Sequence, residues 1–345
     1  MDIALHIGPY GYGSTSRMRA NKMYKILLEK GIKLEIIDTE VPILKYNRLW
    51  NHVAWHYKRG PVISAVNKYV KEQVGERHFK LIWVDKAIYL TRQTTDFLRS
   101  QTDLLVHYTP DPSFTFHRSR LFFESLPLYD YVITTKTYEM EDYIRIIGDS
   151  SKLLYLTQGF DKDLHRPMVP WDQKKGVAFI GHYEKEREEP LLAMLEAGID
   201  INLAGACWEK FAQMNAGPHL HFLGRGVFGE DYVSAISGSK YAWGAVSKWI
   251  PEKHTTRTFE IPACMTALLT ERNDELESLF NEEEVVFYDS IDELVKKIRF
   301  FDSHDYELKT LTERGYEKVQ SGGFDYESQL RRLLELFINK GYDTE

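Results

Sequence analysis

Apolar residues fall along this chain in short runs separated by amphipathic segments of helical length, and one such arrangement occurs twice. The first has an apolar run over 3–7, a Gly/Ser loop over 8–16, an amphipathic segment over 18–29, a stop at Gly31 and a second run over 33–38. The second has 177–180, Gly181, a charged loop, a helical period over 190–196, Gly198 and 201–204. Each reads as strand, loop, helix, strand. A helical crossover joins parallel strands and is right-handed, so each half predicts an open α/β sheet with ligands beyond the carboxyl ends of its strands.

Further strands are predicted over 81–84, 104–108, 131–134 and 153–156 in the first half, and over 241–246, 267–270 and 285–288 in the second. Periodicity lapses over 158–175, where Gly159, Pro167 and Pro170 mark an interdomain linker. The expected domains are therefore 1–165 and 166–325. A final helix over 326–345, with Leu330, Leu333, Leu334 and Phe337 at helical spacing, is expected to pack back toward the first.

Composition narrows the classes. A length of 345 residues suits two cores, and a net charge of -7 argues against a nucleic-acid partner. Cys207 and Cys264 form no CxxC pair, which excludes a disulfide framework and the usual zinc spacing. The opening MDIALHIG lacks a basic leader and no apolar run approaches the length of a membrane span, so a cytoplasmic protein is expected.

The densest chemistry lies in IPEKHTTRTFEIPACMTALLTE, residues 250–271, read as a polar loop, a short helix over 258–264 and a buried strand. Glu252 and Glu260 stand seven residues apart within it, and an acidic helix over 273–280 and VVFYDSIDELVKKIRFF follow. This succession resembles the C-terminal domain of the CgeB-like glycosyltransferases, relatives of the retaining glycogen-synthase-like enzymes. FIGHYEKEREEPLLAMLEAGIDINLAGACW is similar to that domain's first βαβ unit, FLGRGVFGEDYVSAISGSKYAWG to its nucleotide-facing middle, and YDYVITTKTYEMEDYIRIIGDSSKLLYLTQGFDKDLHRP to the exit from the N-terminal domain. The resemblance covers 130–335 and implies the GT-B fold, two Rossmann-like domains facing across a cleft. It also implies sugar transfer from a nucleotide-sugar donor held by the C-terminal domain, with retention of configuration, to a glycan, lipid-linked or other hydroxyl acceptor on the N-terminal side.

Such a donor presents two vicinal ribose hydroxyls and a diphosphate. A carboxylate suits the first, and Glu260 is expected to accept both hydroxyls near a helix N-terminus that favours phosphate. Arg257, one turn earlier, suits either a phosphate or an ion pair with Glu260. Glu252 is the expected sugar contact, although Lys253 and His254 replace the glycine-rich turn that flanks this glutamate in the wider retaining families. In the GHYEKER loop, Gly181 allows close backbone approach, while Lys185 and Arg187 are placed to neutralise the leaving diphosphate. The competing explanation is a solvated charge run.

In the first half, Gly11, Gly13 and Ser14 of GPYGYGSTSR are candidate borders of the donor phosphates or the acceptor, although the loop fits neither a Walker nor a dinucleotide fingerprint. His107 and Asp111, at and beyond the end of the 104–108 strand, are candidate catalytic groups; Asp before Pro also suits a plain turn. Asp161-Lys162-Asp163 has the DxD form but lies in the linker, and HVAWH at 52–56 lacks the glutamate of a zinc-hydrolase helix, so neither a metal nor another cofactor is expected. Lys45, Arg48, Lys58, Arg59, Lys68, Lys71, Arg77 and Lys80 face only Glu72 and Glu76 and are interleaved with Tyr46, Trp50, Trp55, Tyr57 and Tyr69. That mixture suits weak, reversible association with the inner face of a membrane, or else a solvated basic face over packed aromatics. Two other functions share the pattern: a GT-B-like nucleotide-sugar epimerase, and a catalytically silent sugar-nucleotide-binding assembly protein.

Overall fold

The computed structural model describes residues 2–11 and 14–340, with side chains as far as 337; Gly13 lies outside the described residues. The chain forms two compact units, Met1–Thr157 with Leu330–Glu345, and Gln158–Gln329. Residues 158–165 thus pack with the second unit: the Gln158 amide donates to Nε2 of His254 at 2.9 Å, and the Phe160 carbonyl accepts from Tyr326 at 2.9 Å. The helix Tyr326–Lys340 begins in the second unit and contributes Leu330, Leu333, Leu334 and Phe337 to a core of the first.

The first unit is a six-stranded parallel sheet of β1 (Ile3–Gly8), β2 (Lys33–Asp38), β3 (Phe79–Asp85), β4 (Thr102–Thr109), β5 (Tyr131–Thr134) and β6 (Leu153–Tyr155), ordered β2-β1-β3-β4-β5-β6. Sheets of this kind are buried on both faces, which explains their near-continuous apolar runs. One face packs Ile7, Ile82, Val84 and Leu105 against the helices Pro61–Val74 and Arg92–Ser100. The other packs Ala4, Trp83, Val106 and Ile133 beneath the helix Thr15–Glu29 and the C-terminal helix.

The second unit holds β7 (Val177–Ile180), β8 (Ile201–Ala204), β9 (Leu220–Gly224), β10 (Tyr241–Trp243), β11 (Ala267–Glu271) and β12 (Val286–Tyr288), also parallel and ordered β12-β11-β10-β7-β8-β9. Counted from β7, this is the Rossmann order 3-2-1-4-5-6, whose direction reverses between β7 and β10. In the first unit the reversal lies between β1 and β3. These two points are where the carboxyl ends of neighbouring strands diverge and leave room for a ligand.

Two elements depart from the sequence reading. No strand was expected at β9, because it is a partly exposed edge strand whose alternating residues carry no sustained apolar run. The strand expected over 241–246 ends at Trp243: Gly244 still donates to Leu269 at 2.9 Å, but the Ala245 carbonyl is taken by the Arg257 guanidinium at 3.1 Å. That side chain replaces a strand as partner and turns the backbone out of the sheet.

Candidate functional site

The loops after β7 and β10 flank the reversal in the second sheet. Gly205, at φ +145°, opens the neighbouring loop after β8 where a Cβ would stand 1.8 Å from the Gly181 carbonyl oxygen, so no side chain fits. Gly181 itself leaves space for Arg257, whose Nη1 would lie 3.0 Å from a Cβ there. Through that gap Arg257, at the start of the helix Arg257–Ala263, donates to the Ile180 carbonyl at 3.0 Å as well as to Ala245. It thus spans the reversal and makes no ion pair with Glu260. Of the two roles the sequence left open for Arg257, the ion pair with Glu260 gives way to a clamp on two strand ends.

Arg187 lies beside it, 3% exposed, donating to the His182 carbonyl at 2.7 Å and meeting Glu184 at 2.7 Å. Burial, and then the neighbouring Arg257, pull the Arg187 guanidinium down to about 10, which still leaves it charged at neutral pH. Both Nε atoms, of Arg187 and Arg257, are buried without a hydrogen-bond partner among the described residues. Two guanidiniums this close repel one another, and Glu184 offsets that repulsion. The sequence reading passed over Glu184, which is fully buried; its Oε1 stands 3.0 Å from Nε2 of His182 and its Oε2 accepts the Lys248 amide at 3.0 Å. One carboxylate therefore ties the loop after β7 to the loop after β10. The signal available was its position four residues beyond a buried strand at the head of a charge run; its neighbours in that run, also glutamates, hid it.

Glu252 accepts the Ser247 amide at 3.2 Å and contributes favourably to the charge of Arg187, so it belongs to the same loop system. Lys185 does not: its ammonium is paired with Glu188, the first residue of the following helix, and its side chain is 76% exposed. Glu260 sits on the buried side of its helix, 8% exposed as a residue, where Oε2 accepts the Tyr232 hydroxyl at 2.7 Å. His165 lies on the other oxygen at 3.7 Å. The Asp161 amide donates to Nδ1 of His165, so the neutral ring carries its proton on Nε2, aimed at the carboxylate. Tyr232 and His165 escaped sequence reasoning because nothing in their local pattern separates them from core residues.

At the reversal of the first sheet, Gly8 brings β1 so close to β3 that a Cβ would lie 2.9 Å from that of Asp85. Asp85 is buried, with Arg19 at 2.9 Å and His6 at 3.5 Å, and the Arg19 charge together with the His6 contact overcomes the cost of burial to keep its carboxyl well below the usual range. Arg19 also stacks over Tyr108 at 4.2 Å. In the loop above, Ser14 hydroxyl donates to the Pro9 carbonyl at 2.9 Å, and a Cβ on Gly11 would reach Glu40 at 2.8 Å. Ser14 and Gly11 thus meet the protein's own Pro9 and Glu40.

Asp111 is paired with Lys86 at 2.7 Å and lies 3.7 Å from His117; Lys86 above all holds its carboxyl down against burial, with smaller help from His117 and Lys136. A depressed carboxyl is a weak proton acceptor at neutral pH. His107 is 1% exposed between Phe122 and Tyr129, with ring centroids 4.4 and 5.3 Å away, and burial pushes it down to about 3. Neutral and enclosed, it is placed to pack rather than to exchange protons with a substrate. Asp161 accepts the Asp163 amide at 2.9 Å in a closed turn, and Lys162 reaches Asp325 at 3.5 Å.

Among the described residues no helix is long and apolar enough to cross a membrane. Residues 187–335 match a family model described as glycosyl transferase-like. That segment begins at Arg187 and includes Glu252, Arg257 and Glu260. No curated protein matches the sequence. Sucrose-phosphate synthase from Thermosynechococcus elongatus is similar in structure over 100% of both chains, with a TM-score of 0.74 at 15% identity. A glycosyltransferase from Rickettsia africae gives 0.67 at 13% identity over 97% of each chain. HepE from Anabaena, in its complex with UDP-glucose, gives 0.63 at 15% identity over 96% of this chain and 99% of that one. With two parallel six-stranded sheets and full-length likeness to these proteins, the chain has the GT-B fold of two Rossmann-like domains.

Proposed function

We propose that this protein is a glycosyltransferase that takes a sugar from a nucleotide-sugar donor bound by its second unit. The observation that carries this reading is the convergence of Arg187 and Arg257 beside the reversal between β7 and β10, one helical turn before Glu260. Fixed cations in a site already shielded from water stabilise charge that develops on a leaving diphosphate, without reorganising during the reaction. Glu260, held by Tyr232 and His165, is the ribose acceptor, and the Gly181 loop gives the phosphates close backbone approach. Glu252, through the loop after β10, positions the sugar. The match of residues 187–335 to the glycosyl transferase-like family and the UDP-glucose bound by HepE support the donor class; the CgeB-like resemblance narrows it further.

Transfer is proposed to proceed with retention. The bond from the anomeric carbon to the leaving phosphate oxygen breaks as a bond to the acceptor oxygen forms on the same face, and the hydroxyl proton passes to the departing diphosphate. This needs no protein base, which agrees with the enclosure of His107 and the pairing of Asp111. The arginines supply the charge neutralisation that other transferases draw from a metal, so activity is expected to persist in chelator. The acceptor, a glycan or lipid-linked hydroxyl, is assigned to the first unit.

Release of nucleoside diphosphate that depends on added acceptor tests the reading. A thermal-shift screen of nucleoside diphosphates and their sugars identifies the donor, because a ligand of the folded state raises its stability. Donor conversion without acceptor, with a change of sugar configuration, would replace transfer by epimerisation. Binding without conversion of any kind would leave an assembly protein.

A further inference from the structure

Between Glu40 and Glu72 the chain has no acidic residue, although Asp and Glu outnumber Lys and Arg 51 to 44 overall. The fold divides this stretch into two kinds of position. Tyr46 and Tyr69 pack on the core, and Lys58 curls inward with its ammonium 4.6 Å above the Trp55 ring. Lys68, Arg77 and Lys80 are drawn to Glu72, Glu35 and Asp103. What remains outward is the corner between the helices Glu40–Ile43 and Arg48–Tyr57. There Leu44 is 79%, Leu49 66% and Trp50 42% exposed.

Lys45 and Arg48 are exposed at this corner, Arg59 is exposed next to Gly60, where a Cβ would lie 3.7 Å from the Trp50 ring, and none of the three has an acidic partner among the described residues. The helix Arg48–Tyr57 buries only Ala54 and turns Leu49, on nearly the opposite side of the wheel, to solvent. An outward leucine and tryptophan next to unpaired cations are a poor surface for water and a good one for a boundary between headgroups and acyl chains.

We propose that this corner seats the protein on an anionic lipid bilayer, with Leu44, Leu49 and Trp50 entering the interface and Lys45, Arg48 and Arg59 meeting the headgroup phosphates. Charge complementarity selects this occupant. The chain as a whole is negative and is repelled by such a surface everywhere except where cations stand without acids. A second copy of the chain, docked about a two-fold axis, would set these cations against themselves.

The test is cosedimentation of the full chain with vesicles of phosphatidylcholine, alone or mixed with phosphatidylglycerol. Binding is expected for the mixed vesicles, with loss as salt rises past about 0.15 M. Each cation is worth about fivefold near an anionic surface, so the triple variant Lys45→Gln, Arg48→Gln, Arg59→Gln should bind on the order of 100-fold more weakly. Leu49→Ser with Trp50→Ser should weaken binding by a further, salt-independent factor. All five positions are exposed, so melting temperatures near wild type show that the variants fold. The proposal is overturned if the wild type ignores mixed vesicles at low salt, if the triple variant binds as well as wild type, or if neutral vesicles bind equally. It is also overturned if the protein forms a dimer that Leu49→Ser and Trp50→Ser abolish. No donor enters these measurements, so they stand or fall apart from the transferase reading.

Discussion

Glu260→Gln isolates one charge with little change of shape. The carboxylate accepts the Tyr232 hydroxyl at 2.7 Å and faces Nε2 of His165 at 3.7 Å. In glutamine, the amide oxygen can face His165 while the amide nitrogen donates to Tyr232, whose hydroxyl both donates and accepts. No buried cation is stranded, so the cost in stability should be about 1 kcal/mol. The ligand loses more. Hydrogen bonds to a charged group are worth about 1.5–3 kcal/mol, so losing the charge beneath two ribose hydroxyls should weaken nucleoside diphosphate binding roughly 10- to 100-fold. Calorimetric titration of both proteins with a ribonucleotide and its 2′-deoxy analogue measures this and locates it. If the carboxylate meets the ribose, deleting the 2′-hydroxyl should cost wild type much and the variant little, so the two losses do not add. A folded variant with wild-type affinity for both ligands refutes the donor site, and strictly additive losses place Glu260 elsewhere in it.

Arg187→Ala should lower kcat by more than it raises the donor KM, as expected of a group that meets charge developing on the leaving group; equal effects in steady-state kinetics would make it a binding residue only. His107 should make the fold acid-labile. Its pKa is about 3 when folded against about 6.5 unfolded, so stability is complete above about 6.5 and declines as pH falls toward 3. Urea unfolding across that range should show up to about 4 kcal/mol of loss that His107→Phe reduces, a phenylalanine fitting beside Phe122 and Tyr129. Gly205→Ala, with its Cβ placed 1.8 Å from the Gly181 carbonyl, should cost about 3 kcal/mol or more in melting experiments and displace the Arg187 loop.

How legible the fold was from residues alone depended on where each strand sits in its sheet. β1, β3, β4, β7 and β11 are covered on both faces, so burial forces apolar runs that stand out in the sequence. β9, at an edge and half exposed, is under no such demand and was missed. Helix ends were legible where a side chain caps them. Asn273 accepts the amides of Glu275 and Leu276, and the helix expected over 273–280 runs from Asp274 to Leu279. The helix expected over 18–29 starts three residues earlier, at Thr15, behind Ser14, whose hydroxyl makes no cap and leaves no signature.

The candidate site was legible only in part, for a related reason. Arg187, Glu252, Arg257 and Glu260 come from the loops, and the first turns of the helices, that follow strands near the reversal of the second sheet, and a strand-loop-helix reading finds such segments. Sorting the charges within a loop requires knowing which face the core and which face water. In GHYEKEREE, Lys185 and Arg187 look equivalent, yet the short helical turn between them sends one to Glu188 at the surface and the other inward under Arg257. Glu184 is the counterpart of that inward turn. A buried guanidinium cannot sit beside a half-buried one without a carboxylate next to it, because an uncompensated buried charge costs several kcal/mol. Once Arg187 and Arg257 are assigned to the leaving diphosphate, a buried acid among their neighbours becomes a requirement rather than a coincidence. Glu184 meets it while binding the Lys248 amide, so the charge balance of the site and the register of its two loops depend on the same carboxylate.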